Sequence, residues 1–197
     1  VNTGGTILFI RDAIKLLNYD TQILTFSKHP FGYECKNVIF KKEDNLFIKE
    51  LKKILALRYY FLFKTIIFNY GRTIFSPEDV ADKSNIFFVR NIQNFYYRLM
   101  QKSEILLNRV LGNKIIVIFS GDDARQSKYC LDNYKISPAH HLANSFYYTK
   151  SKDNLKKNNI NLINKFAHSI YSLNPDIMNV LPLRCKVETY ILKEVHS

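Results

Sequence analysis

Short apolar runs alternate with longer amphipathic stretches along this chain, and this alternation constrains the fold more than any other feature. The short runs are rich in β-branched and aromatic residues, which favour strands. They are Thr21–Phe26, Asn37–Phe40, Thr65–Phe68, Lys114–Phe119 and Ser169–Leu173. Strands separated by helices of about ten or more residues are typical of βαβ units. We therefore expect an α/β fold with a doubly wound, mostly parallel sheet and helices on both faces.

The stretches between these runs carry apolar residues at helical spacing. Two of them have the apolar positions Phe47, Leu51, Ile54 and Leu55, and Ile92, Phe95, Leu99, Leu106 and Val110. Helices that cover a parallel sheet bury their apolar face against it. We therefore expect Phe47 and Phe95 to lie in the core, together with Phe68 and Phe166.

Capping residues mark the ends of the helices. Ser76-Pro77 and Asn174-Pro175 each place proline directly after an N-cap residue, and Gly112 is a suitable C-terminal cap. No linker rich in Gly, Ser or Pro divides the 197 residues. We therefore expect one domain over residues 1–197, whose first strand would precede Val1.

The chain is strongly basic, with 29 Lys and Arg residues against 17 Asp and Glu residues and a formal net charge of +12. Such a charge favours partners that carry phosphate, namely nucleic acid, an anionic membrane or a nucleotide ligand. An excess of Lys also follows from codon bias in an AT-rich genome. The charge alone therefore does not distinguish among these partners.

Several kinds of site have no signature in this sequence. Cys35, Cys130 and Cys185 are odd in number and far apart, which indicates neither a disulfide framework nor a zinc site and favours a reducing cytoplasm. No apolar run approaches the roughly 18 residues of a membrane-spanning helix. His140 and His141 lack further metal ligands at a suitable spacing. We therefore expect a cytoplasmic protein without a bound metal or other cofactor.

The strongest candidate site is the loop that follows the strand Lys114–Phe119. It contains Ser120, Asp122, Asp123 and Arg125, and it lies at the carboxyl end of a strand, where doubly wound domains bind ligands. We expect Arg125 to pair with Asp123 and thereby to shape the loop. Asp122 would then accept hydrogen bonds from sugar hydroxyl groups. A solvated turn with an internal salt bridge is the alternative interpretation.

Three other segments fit a binding role, although each is also compatible with an ordinary loop. The turn Asn2-Thr3-Gly4-Gly5 precedes a helix, so its backbone can approach a phosphate group closely. Arg72 follows the strand Thr65–Phe68 and is expected at the same edge of the sheet. The loop that begins with Lys28 and His29 combines a cation, an imidazole and aromatic rings. The expected substrate-binding residues are Asn2, Gly4, Gly5, Lys28, His29, Arg72 and Ser120.

Four segments match family motifs in their expected order. Asn2–Gly5 is similar to an Asn- and Gly-rich loop, Phe68–Arg72 to His-Phe-Gly-Arg, Phe119–Gln126 to Phe-(His/Gln)-Gly-x-Asp-x-Arg, and Ala167–Asp176 to Ala-Asp-x-Ile-x-(Ala/Ser)-x-(Asn/Thr)-Pro-Asp. Together they resemble the N-terminal half of a GT-B glycosyltransferase of the retaining "group 1" type. Asn69 and Ser120 stand where members of that family often have histidine, so no catalytic role of those histidines is carried over.

This resemblance implies a Rossmann-like domain that takes part in transfer of a sugar, with retention, from a nucleotide sugar to a saccharide or lipid-linked acceptor in polysaccharide, O-antigen or capsule biosynthesis. Asp122, Asp123 and Arg125 are then the candidate catalytic residues. Because the donor-binding C-terminal domain of such enzymes is absent from these 197 residues, we expect the chain alone to be inactive. We also expect peripheral contact with the inner face of the cell membrane, where anionic lipid attracts basic residues.

The alternative class is a non-catalytic basic α/β module that binds nucleic acid or another phosphate-bearing partner. Its stacking platforms would come from the 13 Tyr and 15 Phe residues. No RNP, KH or helix-turn-helix signature supports this alternative. We therefore expect no nucleic-acid partner.

Overall fold

The computed structural model describes residues 6–26, 37–41, 43–76, 87–141 and 149–187. Val1–Leu62 form one compact unit, and Phe63–Ser197 form a second. Every strand pair within the described residues is parallel, and helices separate most of the strands. The expected α/β fold with parallel sheets is therefore confirmed.

The first unit contains a small sheet and short helices. Its elements are α1 (Thr6–Leu16), β1 (Leu24–Thr25), β2 (Asn37–Val38), α2 (Leu46–Ala56) and α3 (Tyr59–Leu62). β1 pairs with β2, and next to these strands the rings of Phe26 and Phe40 stack with their centroids 5.3 Å apart. α2 begins after Asn45, whose side chain accepts a hydrogen bond from the backbone N–H of Ile48.

The second unit is built on a four-stranded sheet with the order β3-β4-β5-β6. Its elements are β3 (Thr65–Asn69), α4 (Phe87–Val110), β4 (Lys114–Phe119), α5 (Ser127–Asn133), α6 (Pro138–His141), α7 (Lys150–Phe166), β5 (Ser169–Ser172), a 3₁₀ helix (Pro175–Val180) and β6 (Lys186–Val187). Right-handed crossovers that advance in one direction place their helices on the same face of the sheet. Accordingly, α4 and α7 are in contact, and the Nε2 of Gln101 donates to the Oδ1 of Asn159 at 2.8 Å.

The core of the second unit is centred on β4, which pairs with a neighbour on each edge. Val117 and Phe119 of this strand are fully buried. Ile105 of α4 and Ile163 of α7 are also buried, as is Phe68 of β3. The run with the highest density of apolar residues is therefore the central strand of this core.

Burial on α2 and α4 differs from the expectation. Phe47 is 77% exposed and Phe95 is 69% exposed, so the prediction that both lie in the core is wrong. α4 instead buries Glu104, whose carboxylate accepts the backbone N–H groups of Ile74 and Phe75 at 2.8 and 3.0 Å. Apolar spacing shows that a helix has an apolar face, but specific hydrogen bonds decide which face of α4 is buried.

The expected helix ends agree with the structure where it describes them. α4 ends at Val110, and Gly112 has the left-handed φ of +71° that favours glycine. The helix expected after Asn174 is present, in the tighter 3₁₀ form. Pro77 lies outside the described residues, as does the helix start expected there. Among the described helices, none combines the length and the hydropathy that a bilayer crossing requires.

Candidate functional site

Three loops lie side by side at the carboxyl edge of the second sheet, where they follow β3, β4 and β5. The backbone N–H of Gly71, after β3, donates to the carbonyl of Ile118 in β4 at 3.1 Å. The Nδ2 of Asn174, after β5, donates to the carbonyl of Ser120 at 2.6 Å. Asn159 of α7 donates to the carbonyl of Gly71 at 2.8 Å. These bonds join four elements in one arrangement.

Gly71 is required for the close approach of the first two loops. Its φ is +56°, which side chains rarely tolerate, and a Cβ at this position would lie 2.3 Å from the Cε1 of Phe119. Phe119 is fully buried at the end of β4 and has little room to move. Close packing against Phe119 therefore explains why the segment Phe68–Arg72 contains a glycine at position 71.

Asp123 holds the loop after β4 in shape. It is buried, and its carboxylate accepts the backbone N–H of Gly121 at 2.7 Å and that of Ser120 at 3.0 and 3.1 Å. Burial raises the pKa of Asp123, because removal from water disfavours the charged form, while these hydrogen bonds and the charge of Arg72 oppose the rise. The carboxylate of Asp123 is therefore engaged by the backbone of its own loop.

Arg125 pairs with Asp122 and Asp176, so the prediction of an Arg125–Asp123 pair is wrong. The Nη1 of Arg125 lies 2.5 Å from Asp122, and its Nη2 lies 2.7 Å from Asp176. The physical reason is that the loop amides already engage Asp123 on the inner side. Burial lowers the pKa of Arg125, but the hydrogen bonds and charges of Asp176 and Asp122 outweigh it and hold that pKa above its ordinary value.

Further polar groups surround the cluster that Asp122, Asp123, Arg125 and Asp176 form. The charge of Arg72 acts on Asp123, which agrees with the expectation that the loops after β3 and β4 are neighbours. The Oγ of Ser120 is buried and has no hydrogen-bond partner within the described residues. The buried Lys156 of α7 donates from its Nζ to the carbonyl of Arg125 at 2.8 Å. The edge therefore combines cations, carboxylates and the unsatisfied hydroxyl of Ser120.

Sequence reasoning did not identify three residues that build this edge. Asp176 could have been found from its position, because it follows the carboxyl end of a strand as Asp122 does. Lys156 and Asn159 had no such signal, because they lie in a helix rich in Lys and Asn whose buried face only packing reveals. Both side chains donate to backbone carbonyls, and a sequence motif gives no indication of such hydrogen bonds.

Several of the expected site residues lie outside the described part of the chain: Asn2, Gly4, Gly5, Lys28 and His29. Within the part that the structure describes, no group of three His, Cys, Asp or Glu residues could hold a metal ion. His140 instead contacts the hydroxyl of Ser137 through its Nδ1 at 2.9 Å. The described cluster is suited to hydrogen bonding and charge recognition of a ligand.

Open α/β sheets bind their ligands outside the carboxyl ends of their strands, and the charged cluster lies at this edge of the second sheet. Comparison of the chain with protein-family models, with curated proteins and with solved structures found no match.

Proposed function

We propose that this chain is the acceptor-side, N-terminal half of a glycosyltransferase that uses a nucleotide-sugar donor and a saccharide or lipid-linked acceptor. The observation that carries the proposal is that residues from three of the four motif-like segments meet at one edge. Arg72, the loop 120–125 and Asp176 come from different strand ends and contact or influence each other there. The donor-binding half is, in this proposal, outside the 197 residues, and peripheral membrane contact is part of it.

The carboxylates of the cluster suit recognition of a saccharide. The side chains of Asp122 and Asp176 are 43% and 37% exposed, and Arg125 holds both in place. A carboxylate accepts about four hydrogen bonds, so pairing with a guanidinium leaves capacity for hydroxyl donors. The unsatisfied hydroxyl of Ser120 adds a group that both donates and accepts.

The residues of the cluster take different roles in this proposal. Asp122 and Ser120 contact the acceptor, whereas Asp123 and Arg125 are positioning residues because their hydrogen bonds are made within the protein. Arg72 adds positive charge beside the loop and would stabilise a leaving diphosphate. Transfer breaks the bond between the anomeric carbon and the diphosphate oxygen, forms a bond between that carbon and the acceptor oxygen, and moves the proton of the acceptor hydroxyl to the departing nucleoside diphosphate. Holding both substrates together supplies much of such a rate.

The proposal is tested by saccharide binding to the 197-residue chain. Saturation-transfer NMR with glucose, galactose, mannose and N-acetylglucosamine, and with UDP-glucose and GDP-mannose, identifies a ligand. Ser120→Ala is the sharpest variant, because its hydroxyl bonds nothing in the described chain and its removal should leave folding intact. We expect it to weaken binding about fivefold, the effect of one hydrogen bond.

Asp132→Asn is the matched control, because Asp132 is an exposed carboxylate that pairs with Lys128 on α5. We expect binding to be unchanged in this variant and reduced in Asp122→Asn. If no sugar binds, or if the control and the site variants behave alike, the proposal is wrong. A salt-dependent gel shift with mixed oligonucleotides in place of sugar binding would favour the nucleic-acid module instead.

A further inference from the structure

The outward face of α4 is apolar along the part of the helix whose side chains the structure describes. Its exposed side chains lie between 37% (Tyr96) and 85% (Val110) accessible. They form a stripe along about 27 Å of the helix, and the stripe consists of Ile92, Phe95, Tyr96, Leu99, Leu106 and Val110. An exposed apolar patch of this extent on a soluble domain usually marks an interaction surface.

A row of cations runs along one side of this stripe. Arg98, Lys102 and Arg109 are exposed and, at 100° per residue, fall next to one another on the helix surface. None of them forms an ion pair within the described part of the chain. The acid of the described helix, Glu104, points the other way and is buried. The exposed surface of α4 is therefore largely apolar, and the charged side chains that the structure describes along one side of it are all positive.

A groove between α4 and α7 opens beside the same row. Its volume is about 210 Å³, which exceeds the space of several water molecules. Arg98 and Lys102 line one wall, Asn158 lines the other, and Leu155 and Leu162 contribute apolar surface. The groove therefore places two cations beside apolar side chains.

We propose that this face of α4 docks on an anionic lipid bilayer, with the helix lying in the plane of the interface. The apolar stripe enters the acyl boundary, and Arg98, Lys102 and Arg109 meet the headgroup phosphates. A bilayer complements both the apolar stripe and the row of cations, because it offers acyl chains and phosphate groups together. A second copy of the chain satisfies only the apolar half, because it brings the same net charge of +12 and repels.

This inference names the surface for the membrane contact that is part of the proposed function. Its test needs neither sugar donor nor acceptor, so it can fail while saccharide binding is retained, and the reverse. The full chain is sedimented with vesicles of phosphatidylcholine alone or of phosphatidylcholine with phosphatidylglycerol. We expect binding to the anionic vesicles at low salt, and weaker binding at high salt.

Three double variants separate the stripe and its row of cations from the general charge. Arg98→Gln with Lys102→Gln should lower the partition coefficient on the order of 30-fold, because each cation near an anionic surface contributes about fivefold. Lys150→Gln with Lys157→Gln removes the same charge from exposed positions on α7 and should cost much less. Phe95→Ser with Leu99→Ser should lower binding at least about tenfold. Circular dichroism confirms that each variant is folded.

Because the chain contains no tryptophan, a single one reports burial in lipid. Phe95→Trp should show a blue shift with anionic vesicles, whereas Leu183→Trp, at a fully exposed position of the same unit, should not. The proposal would be overturned by equal binding to neutral vesicles, by an equal loss in the Arg98/Lys102 and Lys150/Lys157 variants, or by the absence of a shift at position 95. So would a stable dimer that Phe95→Ser with Leu99→Ser converts to a monomer.

Discussion

Arg125 and Asp176 are 51 residues apart in the sequence, and two hydrogen bonds join them. The Nη2 and Nε of Arg125 lie 2.7 and 3.2 Å from the Oδ2 of Asp176. Arg125 belongs to the loop after β4, and Asp176 belongs to the 3₁₀ helix after β5. This pair therefore connects the carboxyl ends of two neighbouring strands across the candidate site.

A double-mutant cycle measures what this connection contributes. For Arg125→Ala and Asp176→Asn we expect a coupling free energy of about 1 kcal/mol, because the pair is charged and hydrogen-bonded but remains partly exposed. The Lys128–Asp132 pair on α5 is the control, and its coupling should be close to zero since both side chains are exposed. Urea unfolding of the variants gives both values. Equal couplings would show that the connection is an ordinary surface ion pair.

Asp123 and Asp122 are adjacent and should respond differently to removal of the carboxylate. Asp123→Ala leaves the amides of Ser120 and Gly121 without their acceptor, and we expect a loss of about 2 kcal/mol in the free energy of unfolding. Asp122→Ala should cost less than about 1 kcal/mol, because this side chain is partly exposed and Arg125 keeps Asp176. Thermal or urea unfolding compares the two. A larger loss for Asp122 would contradict the assigned roles.

The raised pKa of Asp123 predicts a pH dependence of definite sign. The folded chain keeps the proton at pH values where the unfolded chain has lost it, so the stabilisation from this group is complete below about pH 4 and declines as the pH rises through the folded-state pKa. Asp123→Asn does not titrate. The stability of the wild type relative to this variant should therefore fall as the pH rises from about 4.

Urea unfolding across that range measures the relative stability directly. A difference that grows with rising pH would mean that the amides of Ser120 and Gly121 outweigh burial and lower the pKa instead.

Gly71 and Gly112 both have positive φ but differ in their surroundings. Gly71→Ala adds strain and a clash with Phe119, so we expect a loss of more than about 3 kcal/mol or failure to fold. Gly112→Ala adds strain alone, because nothing lies within 4 Å of its Cβ position, and should cost about 1 kcal/mol. Melting temperatures rank the two variants. Similar losses would indicate that Phe119 moves aside and that the close approach is not required.

Strands β1 to β5 and the end of α4 were predictable because their signals are local, whereas β6 was not predicted. The run Lys114–Phe119 is apolar enough to be a buried strand wherever its neighbours lie, and Gly112 favours a left-handed helix end through its own backbone. The charged loop after β4 was likewise recognisable, since parallel strands present their carboxyl ends at one edge. These properties of the α/β fold and the placement of the candidate site follow from the amino-acid sequence by itself.

Only the tertiary structure decided which groups meet and which faces are covered. Arg125 pairs with Asp122 and Asp176 because the amides of its own loop occupy Asp123, and that choice depends on a strand end 51 residues away. α4 turns Glu104 inward because two amides after β3 need an acceptor, which leaves Phe95 outside. A helical pattern shows that a segment can form a helix with an apolar face, and a charged motif shows which polar groups a loop carries. Hydrogen-bond partners and burial are properties of several segments together, so they are settled only when the chain is folded.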